Sequence, residues 1–325
     1  MIIKVNSLIL KELLIEYEKK RLKALQDLDY RKEKLYLKFP RLKEIENELN
    51  DSSISFAKSM LKNNSLNINN LKQTMEKLKK ERNTILKSDK KDLNYLDIWF
   101  ECPVCKDTGY ITDHYKTTMC NCLKQKLFNI EYNKSNICNI DKENFSNFNL
   151  NLFSDEIDEE KYGETISPRE NIKEIKHYAF KFIQNFDNPD EKNLLFSGCT
   201  GLGKTFLSNC IVNELIKKGK TVLYQTAPVM LDSLISSMFK NDSSLSNNLL
   251  NVDLLVIDDL GTETMNSMKF TELYKIINTR LLNQNGKITK TIISTNLDLQ
   301  NLFNTYDERL VSRFVGHYNI YHFFR

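Results

Sequence analysis

The eight residues Gly198-Cys199-Thr200-Gly201-Leu202-Gly203-Lys204-Thr205 constrain this chain more than any other stretch. They fit G-x-x-x-x-G-K-[ST], a loop that curls so that its backbone N–H groups point at phosphate oxygens. Only nine glycines occur in 325 residues, and three of them stand here. An apolar run, NLLFS (193–197), precedes the loop, and a helical pattern follows it to about residue 218. That strand–loop–helix order is what phosphate binding requires and what an ordinary glycine turn does not. Lys204 is placed to reach β- and γ-phosphates and Thr205 to ligate Mg²⁺. The following helix would turn the positive end of its dipole toward the phosphates.

A second apolar run, VDLLVID (252–258), ends in Asp258-Asp259. Asp258 is placed to hold Mg²⁺, directly or through water, and Asp259 to orient or deprotonate an attacking water. The alternative is an acidic turn at a strand end. TIIST (291–295) leads into Asn296, a polar group that can sit beside the γ-phosphate, between the other two strands. TVLYQ (221–225) and the closing YNIYHFF add further strands. Helical patterns at 171–186, 228–240, 267–284 and 306–314 alternate with them. Strands alternating with helices predict an α/β domain over 171–325, with a parallel sheet covered on both faces.

The preceding chain reads differently. Leu10, Leu14, Tyr17, Leu25, Leu28 and Leu35 recur at gaps compatible with one helix face over 7–39, with Pro40 as a stop. Leu42, Ile45 and Leu49 mark a second helix. NNSLNINN (63–70) is a polar break, and Leu71, Met75, Leu78, Arg82 and Ile85 mark a third. Residues 1–95 are therefore a helical domain, and 139–170, polar, acidic and Asn-rich, a linker. Residues 1–100 carry 22 Lys and Arg against 15 Asp and Glu, the remainder 25 against 28. A basic helical region suits nucleic acid or an acidic protein face, or is simply a solvated surface. No apolar run approaches the roughly 20 residues of a membrane helix, and the start lacks a secretory pattern, so the expected location is cytoplasmic.

Between the two, over 96–138, lies Cys102-Pro-Val-Cys105, then fourteen residues, then Cys120-Asn-Cys122. Two close pairs can supply four thiolates to one tetrahedral Zn²⁺, and Gly109 lets the chain reverse between them. His114 is an alternative ligand. A redox dithiol, an iron–sulfur cluster and unliganded cysteines are the other readings. Four protein ligands leave no open position, so the zinc would be structural. Cys138, Cys199 and Cys210 are read as ordinary packing or loop residues.

NLLFSGCTGLGKTFLSNCIVNEL, VLYQTAPVMLDSL and VDLLVIDDLGTE, in that order, resemble bacterial replicative helicase loaders of the DnaC/DnaI type. The similarity runs from about residue 167 to the end. CPVCKDTG…CNC resembles the zinc-bearing version of low-GC Gram-positive bacteria and their phages; the helical first hundred residues match by position only. The resemblance implies an AAA+ P-loop sheet, ATP with Mg²⁺, and an ATP-dependent loader that delivers a hexameric replicative helicase onto single-stranded DNA. In that family Lys204 and Thr205 match the Walker A pair, Asp258 and Asp259 the Walker B pair, and Asn296 sensor 1. Arg313, in ERLVSRF, looks like the arginine finger that crosses a subunit interface on self-association, with Arg309 second; either could instead be a solvated helical arginine. Twelve residues follow Arg313, which leaves no room for a helical C-terminal lid. Asp259 in place of the usual Glu implies slow hydrolysis. The helix after Ala227-Pro228, ending in Phe239-Lys240, lies where relatives face DNA. Two alternatives stand: a transposition helper ATPase of the IstB type, which has a similar core, and an ATP-stabilised adaptor without turnover.

Overall fold

The computed structural model describes residues 7–61, 65–113, 116–133, 142–282 and 286–325. The chain divides into two compact units, one of Lys11–Thr118 and one made mostly of Met119–Arg325.

The first unit is helical: α1 (Ser7–Lys38), α2 (Pro40–Leu61) and α3 (Ser65–Ser88). The buried stripe of α1 is Leu13, Tyr17, Ala24, Leu28, Arg31 and Leu35, not the expected set. Its positions recur close to the helical period of 3.6 residues, on a face that takes in Leu13 and Ala24 and leaves Leu25 38% exposed. Arg31 sits in this stripe because its guanidinium is fully employed. It lies 3.5 Å above the Trp99 ring centroid and donates to the carbonyls of Tyr95 and, at 3.0 Å, Asp97. Pro40 does follow the end of α1, and it also opens α2, where a missing N–H costs nothing. Leu42 and Ile45 are fully buried, and Leu42 clusters with Leu35, Leu86 and Leu96. The asparagines expected to break the chain are partly helical: α3 already begins at Ser65, and residues 62–64 lie outside the described residues.

The second unit is α/β. Its strands are β3 (Asn193–Ser197), β4 (Val222–Thr226), β5 (Leu254–Leu260), β6 (Lys290–Thr295) and β7 (Tyr318–His322). The short β1 (Tyr110–Asp113) and β2 (Lys116–Met119) form a separate two-stranded sheet upstream. The five strands pair in the order β4-β5-β6-β3-β7, all parallel. Strands β3, β5 and β6 are almost wholly buried, as their unbroken apolar runs require when helices cover both faces. One face packs α6 (Pro168–Gln184) and α7 (Lys204–Lys217). The other packs α8 (Ala227–Phe239), α9 (Ser244–Asn251), α10 (Ser267–Leu281), α11 (Leu299–Thr305) and α12 (Glu308–His317). The sequence reading lacks α9 and α11; both are short and polar, held by one or two buried leucines each, Leu245 and Leu249 in α9 and Leu302 in α11.

Helix α4 (Asn121–Glu131) covers the outer edge of β4 with side chains. The Gln125 carboxamide accepts from Val222 N at 2.6 Å and donates to Val222 O at 3.0 Å. Asn133 accepts from Tyr224 N at 2.8 Å and also donates to Val222 O. Two side-chain amides thus take the place of a sixth strand and satisfy an edge that would otherwise need water.

Residues 142–167, expected as a linker, pack instead. Phe148 and Phe153 join the core cluster of α6 and α7, and Phe145 stacks on Phe180 at 4.2 Å. The segment contains the short helix α5 (Glu159–Tyr162) and ends at Ser167, whose hydroxyl caps α6 by accepting from Glu170 N.

Candidate functional site

Strand order sets the site. Strand β6 lies between β3 and β5, so the carboxyl ends of all three strands come together. Gly198, Gly201 and Gly203 all have positive φ, and Gly203 opens α7. Gly198 is the demanding position. A Cβ there would stand 2.2 Å from the Phe323 carbonyl oxygen, because the chain after β7 runs against the loop. The variable loop positions Cys199, Thr200 and Gly201 are exposed and Leu202 is half-buried.

Lys204 is buried, and its ammonium donates to Gly198 O (2.6 Å), Cys199 O (2.7 Å) and Asn296 Oδ1 (3.0 Å). It therefore bridges the loop to the end of β6. Burial lowers its pKa, against the pull of Asp259 and Asp258. Thr205, at the start of α7, donates to Asp258 Oδ2 at 3.1 Å.

Asp258 is 4% exposed and surrounded by donors. Tyr224 Oη donates to Oδ2 at 2.7 Å, the Ser294 hydroxyl donates to Oδ1, and Asp259 N reaches Oδ1 at 3.2 Å. Each donor follows from register. Thr226 pairs with Asp258, so Tyr224, two residues earlier, lies diagonally on the same face. Ile293 pairs with Ile257, so Ser294 stands beside Asp258. The β5–β6 register then shifts between Ile257 and Leu260, and Asp259 takes φ +54°. This bulge re-aims Asp259 out of the ladder. Burial raises the Asp259 pKa above the usual aspartate value, the Asp258 carboxylate adds to the rise, and Lys204 opposes it. A carboxylate so placed can take a proton from water more readily than an exposed one.

Beside the loop is a largely apolar cavity of about 140 Å³, lined by Phe148, Leu152, Phe153, Leu202 and Phe206 among others. The sequence reading missed it. Its signal is the alternation of Asn with Phe and Leu in NFSNFNLNLF, which composition alone presents as a polar linker.

The two arginines are not part of this cluster. Arg313 donates to Asn278 Oδ1 at 3.2 Å and to Tyr274 Oη at 3.4 Å, both on α10. Arg309, in the first turn of α12, pairs with the capping residue Asp307 at 2.9 Å and is 71% exposed at its side chain.

Upstream, the Sγ atoms of Cys102, Cys105, Cys120 and Cys122 all lie within 4.8 Å of one another. Four sulfurs about 2.3 Å from one tetrahedral zinc stand roughly 3.8 Å apart, so the cluster fits that metal. Lys106, Asp107 and Gly109 have positive φ in the turn after the first pair, and Asp107 accepts from Glu101 N and Cys102 N. Cys120 caps α4. The alternative ligand His114 and also Cys138 lie outside the described residues. Cys210 is buried, and burial pushes its thiol up to about 12. Among the described residues no cysteine forms a disulfide, and no helix is long and apolar enough to cross a membrane.

Residues 172–320 match the family described as the bacterial DnaA ATPase domain. The replicative helicase loader DnaC of Escherichia coli (strain K12) is 31% identical over 139 residues, covering 42% of this chain and 54% of the relative. The chain thus spans about half the length of the curated relatives it matches. A crystal structure of the DnaC helicase loader aligns with a TM-score of 0.43 at 26% identity, over 47% of this chain and 90% of that one. A DnaI crystal structure aligns with a TM-score of 0.45 at 22% identity, over 57% and 93%. Over residues 172–320 the chain is thus similar to DnaA ATPase domains, and over part of its length to DnaC helicase loaders.

Proposed function

We propose that this chain is an ATP-dependent loader that binds the hexameric replicative helicase and delivers it onto single-stranded DNA. The observation that carries the nucleotide half is the convergence of Lys204, Thr205, Asp258 and Asn296 at three adjacent strand ends. The partner half rests on the likeness to DnaC.

In this reading the N–H groups of residues 198–205 cradle the phosphates, and Lys204 leaves its carbonyls for the β- and γ-oxygens. Thr205 and Asp258 would hold Mg²⁺, which supplies charge neutralisation at the phosphates. Asp259 orients and deprotonates water, and Asn296 faces the γ-phosphate. The phenylalanine-lined cavity receives the base, with Phe148, Phe153 and Phe206 as apolar walls. Arg313 acts on a neighbour's nucleotide only after leaving Asn278 and Tyr274, which makes hydrolysis slow until subunits associate. Phe239, 77% exposed, and Lys240 at the end of α8 offer a stacking and charged contact to single-stranded DNA. The four cysteines hold a structural Zn²⁺, residues 1–95 grip the helicase, and the protein works in the cytoplasm.

The test is size-exclusion chromatography with light scattering on the chain mixed with its host's helicase, with and without ATP. A discrete co-complex that Lys204→Ala makes insensitive to ATP is the expected result. No complex under either condition overturns the loader reading.

A further inference from the structure

Asp258 presents four lone-pair sites, and in this chain donors occupy all of them. Oδ1 receives the Ser294 hydroxyl and Asp259 N; Oδ2 receives Tyr224 Oη and Thr205 Oγ1. Thr205 and the Asp259 amide come from the phosphate loop and from β5 itself. Tyr224 and Ser294 do not: they reach in from the flanking strands β4 and β6, and both are fully buried. A tyrosine hydroxyl that found no acceptor there would be costly, so the Tyr224–Asp258 bond is fixed rather than incidental.

We infer that Tyr224 and Ser294 are positioning residues that temper the hold of Asp258 on the metal and keep its carboxylate in one plane. The inference rests on the nucleotide–metal reading of this site. A carboxylate that donates electron density to two buried hydroxyls has less to offer a cation. The outcome is a weakly held, exchangeable divalent ion together with a rigidly aimed acid beside Asp259. Without the Tyr224 hydroxyl, Oδ2 would keep the Thr205 bond but lose its buried donor, leaving more charge for the ion and a less firmly aimed carboxylate.

Tyr224→Phe removes one oxygen and little volume. The probe is Mn²⁺ with ADP, its free concentration followed by electron paramagnetic resonance, beside steady-state ATP hydrolysis in Mg²⁺. In Tyr224→Phe, Mn²⁺ binds about tenfold tighter while kcat falls about tenfold, the size expected for one hydrogen bond to a charged group. Ser294→Ala, on the other oxygen, moves both readouts the same way and serves if Tyr224→Phe folds poorly. Tyr318→Phe, a buried tyrosine of β7 remote from Asp258, controls for lost stability and leaves Mn²⁺ affinity unchanged. A purely structural role for Tyr224 would weaken metal binding and turnover together. Mn²⁺ affinity that is unchanged or weaker in both Tyr224→Phe and Ser294→Ala overturns the inference. A parent protein that binds no Mn²⁺–ADP overturns the nucleotide reading instead, so the two failures are separable.

Discussion

Replacing Gly198 by alanine puts a methyl group where the structure has a carbonyl oxygen. The new Cβ would stand 2.2 Å from Phe323 O and 3.1 Å from its carbonyl carbon, with φ at +131°. A carbon–oxygen contact needs about 3.3 Å, so the two backbones must part by roughly 1 Å. The neighbour cannot simply swing away. Phe323 N donates to Ser197 O at 2.8 Å, His322 O accepts from Asn171 at 2.8 Å, and the Phe323 ring is buried in the core. Backbone strain of about 1–3 kcal/mol, a lost hydrogen bond near 1 and repacking of about 1–3 give roughly 3–7 kcal/mol. Gly201→Ala is the internal control: its φ is +78°, but nothing lies within 4 Å, so only left-handed strain of about 1–2 kcal/mol remains. Urea unfolding of both variants, with the parent, measures the difference. A Gly198→Ala loss within 1 kcal/mol of the Gly201→Ala loss would refute the close-approach argument.

Two further outcomes are expected. Burial would raise the Asp253 pKa, but bonds from Lys287 and Thr221 outweigh it and hold the carboxyl below its ordinary 3.8. A depressed carboxylate stabilises the fold above that value and loses its contribution as pH falls through the folded pKa, so Asp253→Asn should lower the urea midpoint at pH 7 and leave it nearly unchanged near pH 2. An equal loss at both pH values would argue against the linkage. Metal analysis of freshly purified, reduced protein should find one zinc per chain, falling to none in Cys102→Ser/Cys105→Ser; protein purified without zinc would remove the structural-zinc reading.

The phosphate loop, the acidic strand end and the polar end of β6 were legible because each is a local pattern whose neighbours in sequence are its neighbours in space. Strand β3 falls where NLLFS predicted it, and the other main strands lie within two residues. What escaped depends on distant segments. Tyr224 and Ser294 meet Asp258 only through register across three strands, and nothing in VLYQT announces that one tyrosine faces an acid. Arg31 reads as a charge on a solvated face until Trp99 and two carbonyls arrive from sixty residues away. Helix α9 has weak formers, Asn and Ser, and exists because the core accepts Leu245 and Leu249. Phe148 and Phe153 were hidden among asparagines, and composition averages over exactly the residues that matter there. Arg313 was placed on the right helix by pattern, but its docking on Tyr274 and Asn278 is a tertiary fact.

The carboxamides of Gln125 and Asn133 also bear on how molecules of this kind can join. A parallel sheet has two lateral borders, and here one of them, β4, is sealed by groups that cannot template a further strand. Among the described residues the other border is β7, where the Asn171 amide donates to His322 O at the strand's end. Two copies meeting at β7 would run antiparallel about a twofold axis and would then present a sealed border on either side. Growth stops at two. A chain with both borders open could add copies without limit, so these two amides set a ceiling on accidental assembly while leaving ring or filament contacts through other faces untouched.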